Sequence, residues 1–558
     1  MYSAIDSLWV AVAVAMMLLM QAGFTMLETG FTRAKNAGNI AMKNLSDFVV
    51  GSLVFWFIGF GFIHNSSVGG FIGKIDLFTR GQYLTGTVPL TLYLVFQMLF
   101  CCTAATIVSG AMAGRTRFGA YIAYSVLISS FVYPISAHWI WNEGGWLNQL
   151  GFHDFAGSTA VHLVGGTAAF VGAKMVGARI GKYSIDGKSK AIPGQSMSFG
   201  VLGIFLLWFG WYGFDAGSTL SITGDANILT VSRIIFNVTV CAATSACTAM
   251  MISWKRYSKP DISMTFNGAL AGLVAITSGC DTLSPLGACI TGLVVGFIVI
   301  FSIEFVDNKL KIDDPVGAIS AHGIAGAVGT ILTGVFSTDS GFLYTGYFSF
   351  FFVQILGVVA VIVWTAAAMI IGFSIINKLI GIRVDEDGEL KGLDISEHGA
   401  TQGTAIGHVI LDGSAPSPVS LFRAMDVEDI DKEQMPDEYK QADGKMRKVV
   451  VVMNPNRLEV LMKALDKIEI TGMTVTNVSG CGIQKGNTEY YRGSELESHL
   501  IPKVKVEIVI VTVPVALLIE TIKKTIRTGK IGDGKIFVYD VERVVKVRTG
   551  AEGREALE

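Results

Sequence analysis

The sequence predicts an α-helical polytopic membrane protein of eleven spans carrying a C-terminal α+β domain, and three observations lead there. Hydrophobic residues fill 51% of the 558 positions and charged residues only 16%, a balance foreign to ordinary soluble domains. Charge is unevenly placed, with 18 of the 43 Lys and Arg in residues 1–377 and 25 in the rest. Apolar runs long enough to cross roughly 30 Å of hydrocarbon recur through the first part and then stop. A net charge of −2 excludes a strongly basic nucleic-acid binder.

The runs lie near residues 8–31, 45–63, 87–112, 119–139, 159–178, 197–214, 229–252, 264–281, 285–306, 317–336 and 347–377. The first has no basic leader and runs into Glu28 and Arg33 rather than a small-residue cleavage site, which predicts a retained helix and not a signal peptide. With the N-terminus outside, the inner loops hold Arg33, Lys35, Lys43, Arg115, Arg117, Arg179, Lys182, Lys188, Lys190, Lys255, Arg256, Lys259, Lys309 and Lys311, against Lys74 and Arg80 outside. This asymmetry sets the expected orientation, and an odd number of spans puts the C-terminal domain in the cytoplasm. Seven cysteines without CxxC or Cys/His spacing indicate neither a disulfide framework nor a metal site.

The fifth and tenth spans echo each other. Asp154-Phe-Ala-Gly157 and Asp314-Pro-Val-Gly317 are each followed at the same offset by a histidine, His162 and His322, giving D-x-x-G-x-x-x-x-H twice. The first helix runs inward and the second outward, the pattern of an inverted repeat with function at its midplane interface. An ionisable side chain inside an apolar helix is costly unless it pairs or lines a cavity. A single such histidine is as often structural, but two in matched copies favour a functional pair. Two neighbouring imidazoles in a dry channel stay neutral or share one proton, which suits a permeant that exchanges protons. Most glycines after the histidines, such as Gly166, Gly323 and Gly326, read as close helix packing.

Residues 381–399 continue from the last span, 400–444 form an acidic linker, and 445–558 form a compact domain. In that domain a strand at Val449–Met453 precedes a helix with Leu458, Leu461, Leu465 and Ile468 on one face. Strands at Met473–Val478 and through Val504, Val506, Ile508 and Ile510 follow, then a helix at Val515–Thr528 and a strand at Ile536–Val541. The order β-α-β-β-α-β is ferredoxin-like.

Asp154-Phe-Ala-Gly-Ser-Thr-Ala-Val-His162 and Asp313-Asp-Pro-Val-Gly-Ala-Ile-Ser-Ala-His322 resemble the signatures of the ammonium transporter (Amt/Mep/Rh) family, over roughly residues 5–399. The resemblance implies a homotrimer in lipid, each subunit with one narrow pore for ammonium or ammonia and His162 and His322 as its proton relay. It further implies an external ammonium site of Phe96, Phe100, Trp141 and Ser218 supported by Asp154, and a gate of Phe100 and Phe214. Aromatic faces hold a desolvated cation at about 0.5–2 kcal/mol, and ammonium has N–H donors that potassium lacks. Asp215 stands where the family usually has asparagine, adding a carboxylate by the gate. Gly381-Ile-Arg-Val384, Gly392-Leu-Asp394 and Glu397-His-Gly399 resemble the family's cytoplasmic tail, which packs under the trimer.

Gly472-Met-Thr-Val-Thr476, Gly480-Cys-Gly-Ile-Gln-Lys-Gly486, Tyr491-Arg-Gly493, Pro502-Lys-Val-Lys505 and Thr528-Gly-Lys-Ile-Gly-Asp-Gly-Lys535 resemble the PII nitrogen-signalling family. The resemblance implies ATP or ADP at Thr474, Gly482, Gln484, Gly532, Asp533, Gly534, Lys535, Lys546 and Arg548, and 2-oxoglutarate at Gln484 and Lys503, with Mg coming in on ATP beside Gln484. Glycine amides and basic side chains suit phosphates. Lys546 replaces the usual arginine and its bidentate contact. In the T-loop, Arg492 matches the residue that enters a channel mouth, Leu496 replaces a modifiable tyrosine, and Ser494 falls where some members are phosphorylated.

The expected whole is an ammonium transporter in a bacterial-type cytoplasmic membrane, gated by its own PII domain. A linker of about 45 residues reaches roughly 35–40 Å and keeps the domain at an effective concentration on the order of millimolar, so intramolecular docking needs little affinity. The rival is a sensor that signals to a cytoplasmic partner with little transport; a PII domain acting only as a scaffold is a third reading. Neither half has an activated nucleophile or a catalytic metal cluster, so an enzyme is not expected.

Overall fold

The computed structural model describes residues 2–184, 186–400, 444–470, 472–480, 488–491, 494–497, 501–527, 529 and 533–557. Two compact units divide at His398 and Gly399. In the first, ten helices among the described residues are long and apolar enough to cross a membrane: α1 (Ala4–Phe31), α2 (Ala34–His64), α3 (Leu90–Met112), α4 (Phe118–Gln149), α5 (Ser158–Val176), α6 (Met197–Gly217), α7 (Asp225–Tyr257), α9 (Pro285–Asn308), α10 (Ile319–Phe336) and α11 (Ser349–Ile380). The remaining apolar run forms the shorter α8 (Ile262–Ile276). It ends early because Thr277–Thr282 turn back in tight N–H to C=O bonds, Gly279 to Ile276 and Thr282 to Gly279.

The echoed motifs have one local cause. Asp154 accepts backbone N–H bonds from Gly157 (3.1 Å), Thr159 (2.8 Å) and Ala160 (2.8 Å). Asp314 accepts from Gly317 (3.0 Å) and Ile319 (2.8 Å). Each aspartate thereby satisfies the orphan donors of a helix start. Gly157 and Gly317 have φ of +116° and +81°, a conformation that glycine adopts without strain. Both helices open with a π-turn, at Ser158–Leu163 and Ile319–Ile324, that contains the histidine. The two cross closely, since a Cβ on Gly166 would lie 2.2 Å from the Gly323 nitrogen.

One end of the bundle gathers the basic loops. Arg179 forks onto Asp313 through Nε (2.7 Å) and Nη2 (2.8 Å), and Arg115 Nη2 donates to the Asp313 carbonyl (2.7 Å). Burial pushes the Asp313 carboxyl up, but the Arg179 charge and hydrogen bonds prevail and hold it well below the usual carboxylate range. The chain after α11 returns here. Arg383 donates to the Val176 and Ala178 carbonyls and to Glu389, between α11 and the short helices α12 (Glu386–Lys391) and α13 (Leu393–His398). Asp394 accepts from the Gly38 and Asn39 amides (3.0 and 2.7 Å). The tail is thus anchored to its own chain. Lys43, expected in an inner loop, is instead buried within α2 at 1% exposure.

The second unit contains β1 (Arg447–Met453), α14 (Leu458–Lys467), β2 (Thr474–Gly480), a hairpin of β3 (Thr488–Tyr491) and β4 (Ser494–Glu497), β5 (Ile501–Ile510), α15 (Val515–Ile526) and β6 (Gly534–Asp540). The four-stranded sheet runs β2-β5-β1-β6 with every neighbour antiparallel. Alternation puts Val449, Val451, Val504, Val506 and Ile508 in one core with Leu461, Leu465, Leu518 and Ile522 of the helices.

Candidate pore and regulatory domain

A file of rings runs through the first unit. Phe96 meets Phe100 edge-on at 5.0 Å between centroids, and Trp141 meets Phe100 at 5.8 Å. Phe100 packs on Phe214 at 4.2 Å, and Phe214 lies 5.5 Å from the ring of His162. His162 and His322 stack at 5.3 Å with their Nδ1 atoms 3.2 Å apart, and Phe24 lies 5.9 Å beyond. Phe96, Phe100, Phe214 and both histidines are at most 2% exposed. Two Nδ1 atoms at that distance hydrogen-bond when one donates and the other accepts, so a neutral pair bonded this way has opposite tautomers.

The surrounding groups hold this file in place. Trp141 Nε1 donates to the Asp154 carbonyl (2.8 Å), so Asp154 ties this tryptophan to the helix start that bears His162. Burial pushes the Asp154 carboxyl up, against the three N–H bonds that pull it down, and leaves it above its ordinary value. Ser218 donates to the Phe214 carbonyl (2.8 Å), which leaves its oxygen lone pairs to accept from an N–H donor. Beside Asp154, His153 Nε2 meets Asp281 Oδ1 at 3.1 Å. Burial lowers the His153 imidazole, while Asp281, Asp154 and Asp339 raise it above the usual histidine value.

Trp211 escaped the sequence reading. It stacks on His162 at 4.9 Å and 13° and donates from Nε1 to Thr277 Oγ1 (2.9 Å). Its place three residues before Phe214, on the same helix face, was the available signal. Asp215 is fully buried, but its side-chain contact is to Thr277 Oγ1 (3.4 Å) at the end of α8, with Oδ1 unpartnered. It therefore flanks Trp211 through the shared threonine.

In the second unit, Thr474 begins β2 opposite Glu507, and Lys503 lies in β5 opposite Val478. Gly534 and Lys535 open β6 opposite Met453 and Val452. Gly534 has φ +123°, and a Cβ there would lie 2.4 Å from the Val452 carbonyl. Asp533 Oδ2 accepts from the Gly529 amide (2.9 Å), while Lys546 and Gly550 close a turn (2.8 Å) that holds Arg548. Thr474, Lys535 and Arg548 are exposed. Gly482, Gln484, Arg492 and Gly532 lie outside the described residues. Among the described residues no cluster of three or more His, Cys, Asp or Glu could hold a metal ion.

The Ammonium Transporter Family matches residues 8–403, and Nitrogen regulatory protein P-II matches residues 446–551. The chain is 43% identical over 418 residues to ammonium transporter Amt2 of Archaeoglobus fulgidus, covering 71% of this chain and 87% of that protein. It is 35% identical over 413 residues to ammonium transporter 3 of Dictyostelium discoideum, covering 71% and 93%. Among solved structures, a Sensor Amt Protein superposes with TM-score 0.67 at 38% identity, covering 71% of this chain and 98% of that one. Candida albicans Mep2 gives 0.63 at 28%, covering 69% and 87%. The chain therefore belongs to the ammonium transporter family, a non-enzymatic family of membrane proteins, and carries a regulatory P-II domain behind its membrane part.

Proposed function

We propose that the chain moves ammonium across a cytoplasmic membrane through the file from Phe96 and Trp141 to the twin histidines, and that its P-II domain gates this passage. The observation that carries the reading is the unbroken contact of Phe100, Phe214, His162 and His322. A cation is recruited by aromatic faces and the Ser218 oxygen. Past Phe214 its charge is costly in so dry a site, and the histidine pair accepts and returns a proton. Trp211 and Asp154 position His162 from two sides. The account takes α8 as an eleventh crossing, with the N-terminus outside and the basic end cytoplasmic, where Arg115, Arg179 and the tail meet.

The domain boundaries we adopt are 1–380 for the membrane domain, 381–399 for the tail, 400–444 for the linker and 445–558 for the P-II domain. Its β-α-β-β-α-β order supports a ferredoxin-like assignment. In this reading Thr474, Gly482, Gln484, Gly532, Asp533, Gly534, Lys535, Lys546 and Arg548 take ATP or ADP. Gln484 and Lys503 take 2-oxoglutarate with Mg-ATP, and Arg492 enters the pore mouth in one ligand state. A homotrimer is part of this reading, and the exposed Phe537, Val538 and Tyr539 on edge strand β6 are open to association between copies of the P-II unit.

The test is ammonium-evoked current in proteoliposomes. His162→Ala is expected to alter rate and ammonium-over-potassium selectivity in folded protein; unchanged selectivity would refute the relay. A second reading, a sensor with little transport that signals to a cytoplasmic partner, is favoured by the likeness to the Sensor Amt Protein. Absence of current in every ligand state would select it.

A further inference from the structure

Away from the ring file, between α1, α2, α3 and α4, a second polar cluster is sealed in the bundle. Glu28 is 2% exposed, Asp47 0% and Lys43 1%. Among the described residues neither carboxylate has an ion-pair partner. Lys43 Nζ is spent on the Thr116 carbonyl (3.0 Å) and lies 5.3 Å over the Tyr121 ring. Glu28 Oε2 accepts from Asn44 Nδ2 (3.2 Å) and Ser109 (2.7 Å), and Asp47 Oδ2 accepts from the Tyr121 hydroxyl. Thr106, the next link on α3, donates to Gln21 Oε1 (3.3 Å).

Several polar atoms in the same cluster make no hydrogen bond of good geometry. They are Asp47 Oδ1, Asn44 Oδ1 and the hydroxyls of Tyr124 and Ser125, on residues no more than 1% exposed, and the donor Gln21 Nε2. Ser125 lies in reach of Asp47, and Tyr124 in reach of Tyr121. The Asn44 amide cannot simply be turned round, because its Nδ2 donates both to Glu28 and to the Ile40 carbonyl (3.0 Å). The other charged or titratable groups facing the cluster are committed or neutral. Arg115 is spent on the Gly177, Ala113 and Asp313 carbonyls, Glu397 accepts from the Phe118 amide, and Cys102 faces Asp47 as a thiol near the Phe48 carbonyl.

With Glu28 and Asp47 ionised and Lys43 protonated, the enclosure carries a formal charge of −1. A buried charge of this kind is neutralised by a proton or by a counter-ion, and unpartnered buried oxygens in a native fold point to a bound water or ion. We propose that the cluster binds one small monovalent cation, held by Asp47 Oδ1 and Asn44 Oδ1 with the hydroxyls of Tyr124 and Ser125. A single positive charge balances the site, whereas a divalent ion would overcharge it. All these ligands are oxygens that can accept from ammonium or coordinate sodium or potassium. The site shares no residue with the ring file, and it gives the protein an ion requirement separate from its permeation path.

The test uses the full-length protein in detergent at constant ionic strength, with choline chloride replaced stepwise by sodium, potassium or ammonium chloride, reading the midpoint of thermal unfolding. A ligand that binds only the folded state raises the midpoint in a saturable way. At least one of the three salts is expected to do so, with the rise lost in Asp47→Asn and kept in Ser218→Ala, which alters only the pore mouth. Ser125→Ala and Tyr124→Phe, which leave every charge in place, are expected to raise the half-saturating concentration several-fold; they stand in if Asp47→Asn fails to fold. Three results would each overturn the proposal: no rise above choline, a rise that disappears with Ser218→Ala, or half-saturation unchanged in both hydroxyl variants.

Discussion

Replacing Asp154 separates its two tasks, capping a helix start and carrying a charge. In Asp154→Ala the amides of Gly157, Thr159 and Ala160 lose their acceptor, and all three residues are buried. A buried donor left unsatisfied costs about 1–3 kcal/mol, so three cost about 3 kcal/mol or more. In Asp154→Asn the amide oxygen can still accept from Thr159 and Ala160, and one N–H, that of Gly157, meets an NH2 group. The loss is then about 1–2 kcal/mol, partly offset because burial already disfavours the ionised carboxyl. Asp314→Ala strands the amides of Gly317 and Ile319, with Ala318 also in reach, at a half-buried carboxyl, for about 2 kcal/mol. The assay is the shift in thermal unfolding midpoint in detergent, read beside ammonium-evoked current. The order of loss should be Asp154→Ala, then Asp314→Ala, then Asp154→Asn. Equal losses for alanine and asparagine at position 154 would refute the capping argument, and a wild-type current in Asp154→Ala would refute the coupling of Asp154 to Trp141 and His162.

Other expectations can be checked on the same preparations. Because the His153 imidazole is raised by Asp281, the pair's stabilisation is fully present below about pH 6.5 and fades as pH rises through the elevated folded value. Asp281→Asn should flatten that part of the stability profile. The Asp313 carboxyl is lowered, so its contribution is present above about pH 3.9 and should fade only as pH falls through its much lower folded value. Asp313→Ala, which leaves Arg179 buried and unpaired, should cost about 3–5 kcal/mol at neutral pH, whereas a loss below 1 kcal/mol would show the fork to be incidental. Gly166→Ala, whose Cβ would collide with the Gly323 backbone, should separate α5 from α10 and depress current more than Gly119→Ala, where the nearest atom lies 4.0 Å away.

The legible parts of this molecule were those whose cause is local. The D-x-x-G-x-x-x-x-H spacing reports a capping aspartate, a glycine at positive φ and a histidine one turn further in, and the structure has all three twice. Strand alternation through Val504, Val506, Ile508 and Ile510 likewise reports one buried face. The hidden parts depend on partners far along the chain. Asn39, Lys43 and Asn44 look like loop residues by hydropathy, yet they lie inside α2 because Asp394, Thr116 and Glu28 supply their polar contacts. Trp211 is one more apolar residue in an apolar helix until His162 is found against its face. Asp215 adjoins Phe214 in sequence, but the turn of the helix sends its carboxyl toward Thr277.

The most direct test of the central claim is ammonium-evoked current from the full-length chain in proteoliposomes with the P-II side accessible, comparing ADP with Mg-ATP plus 2-oxoglutarate on one preparation. The account predicts a current that one of these ligand states suppresses and that Arg492→Ala restores. A current of equal size in both states would contradict gating by the attached P-II domain.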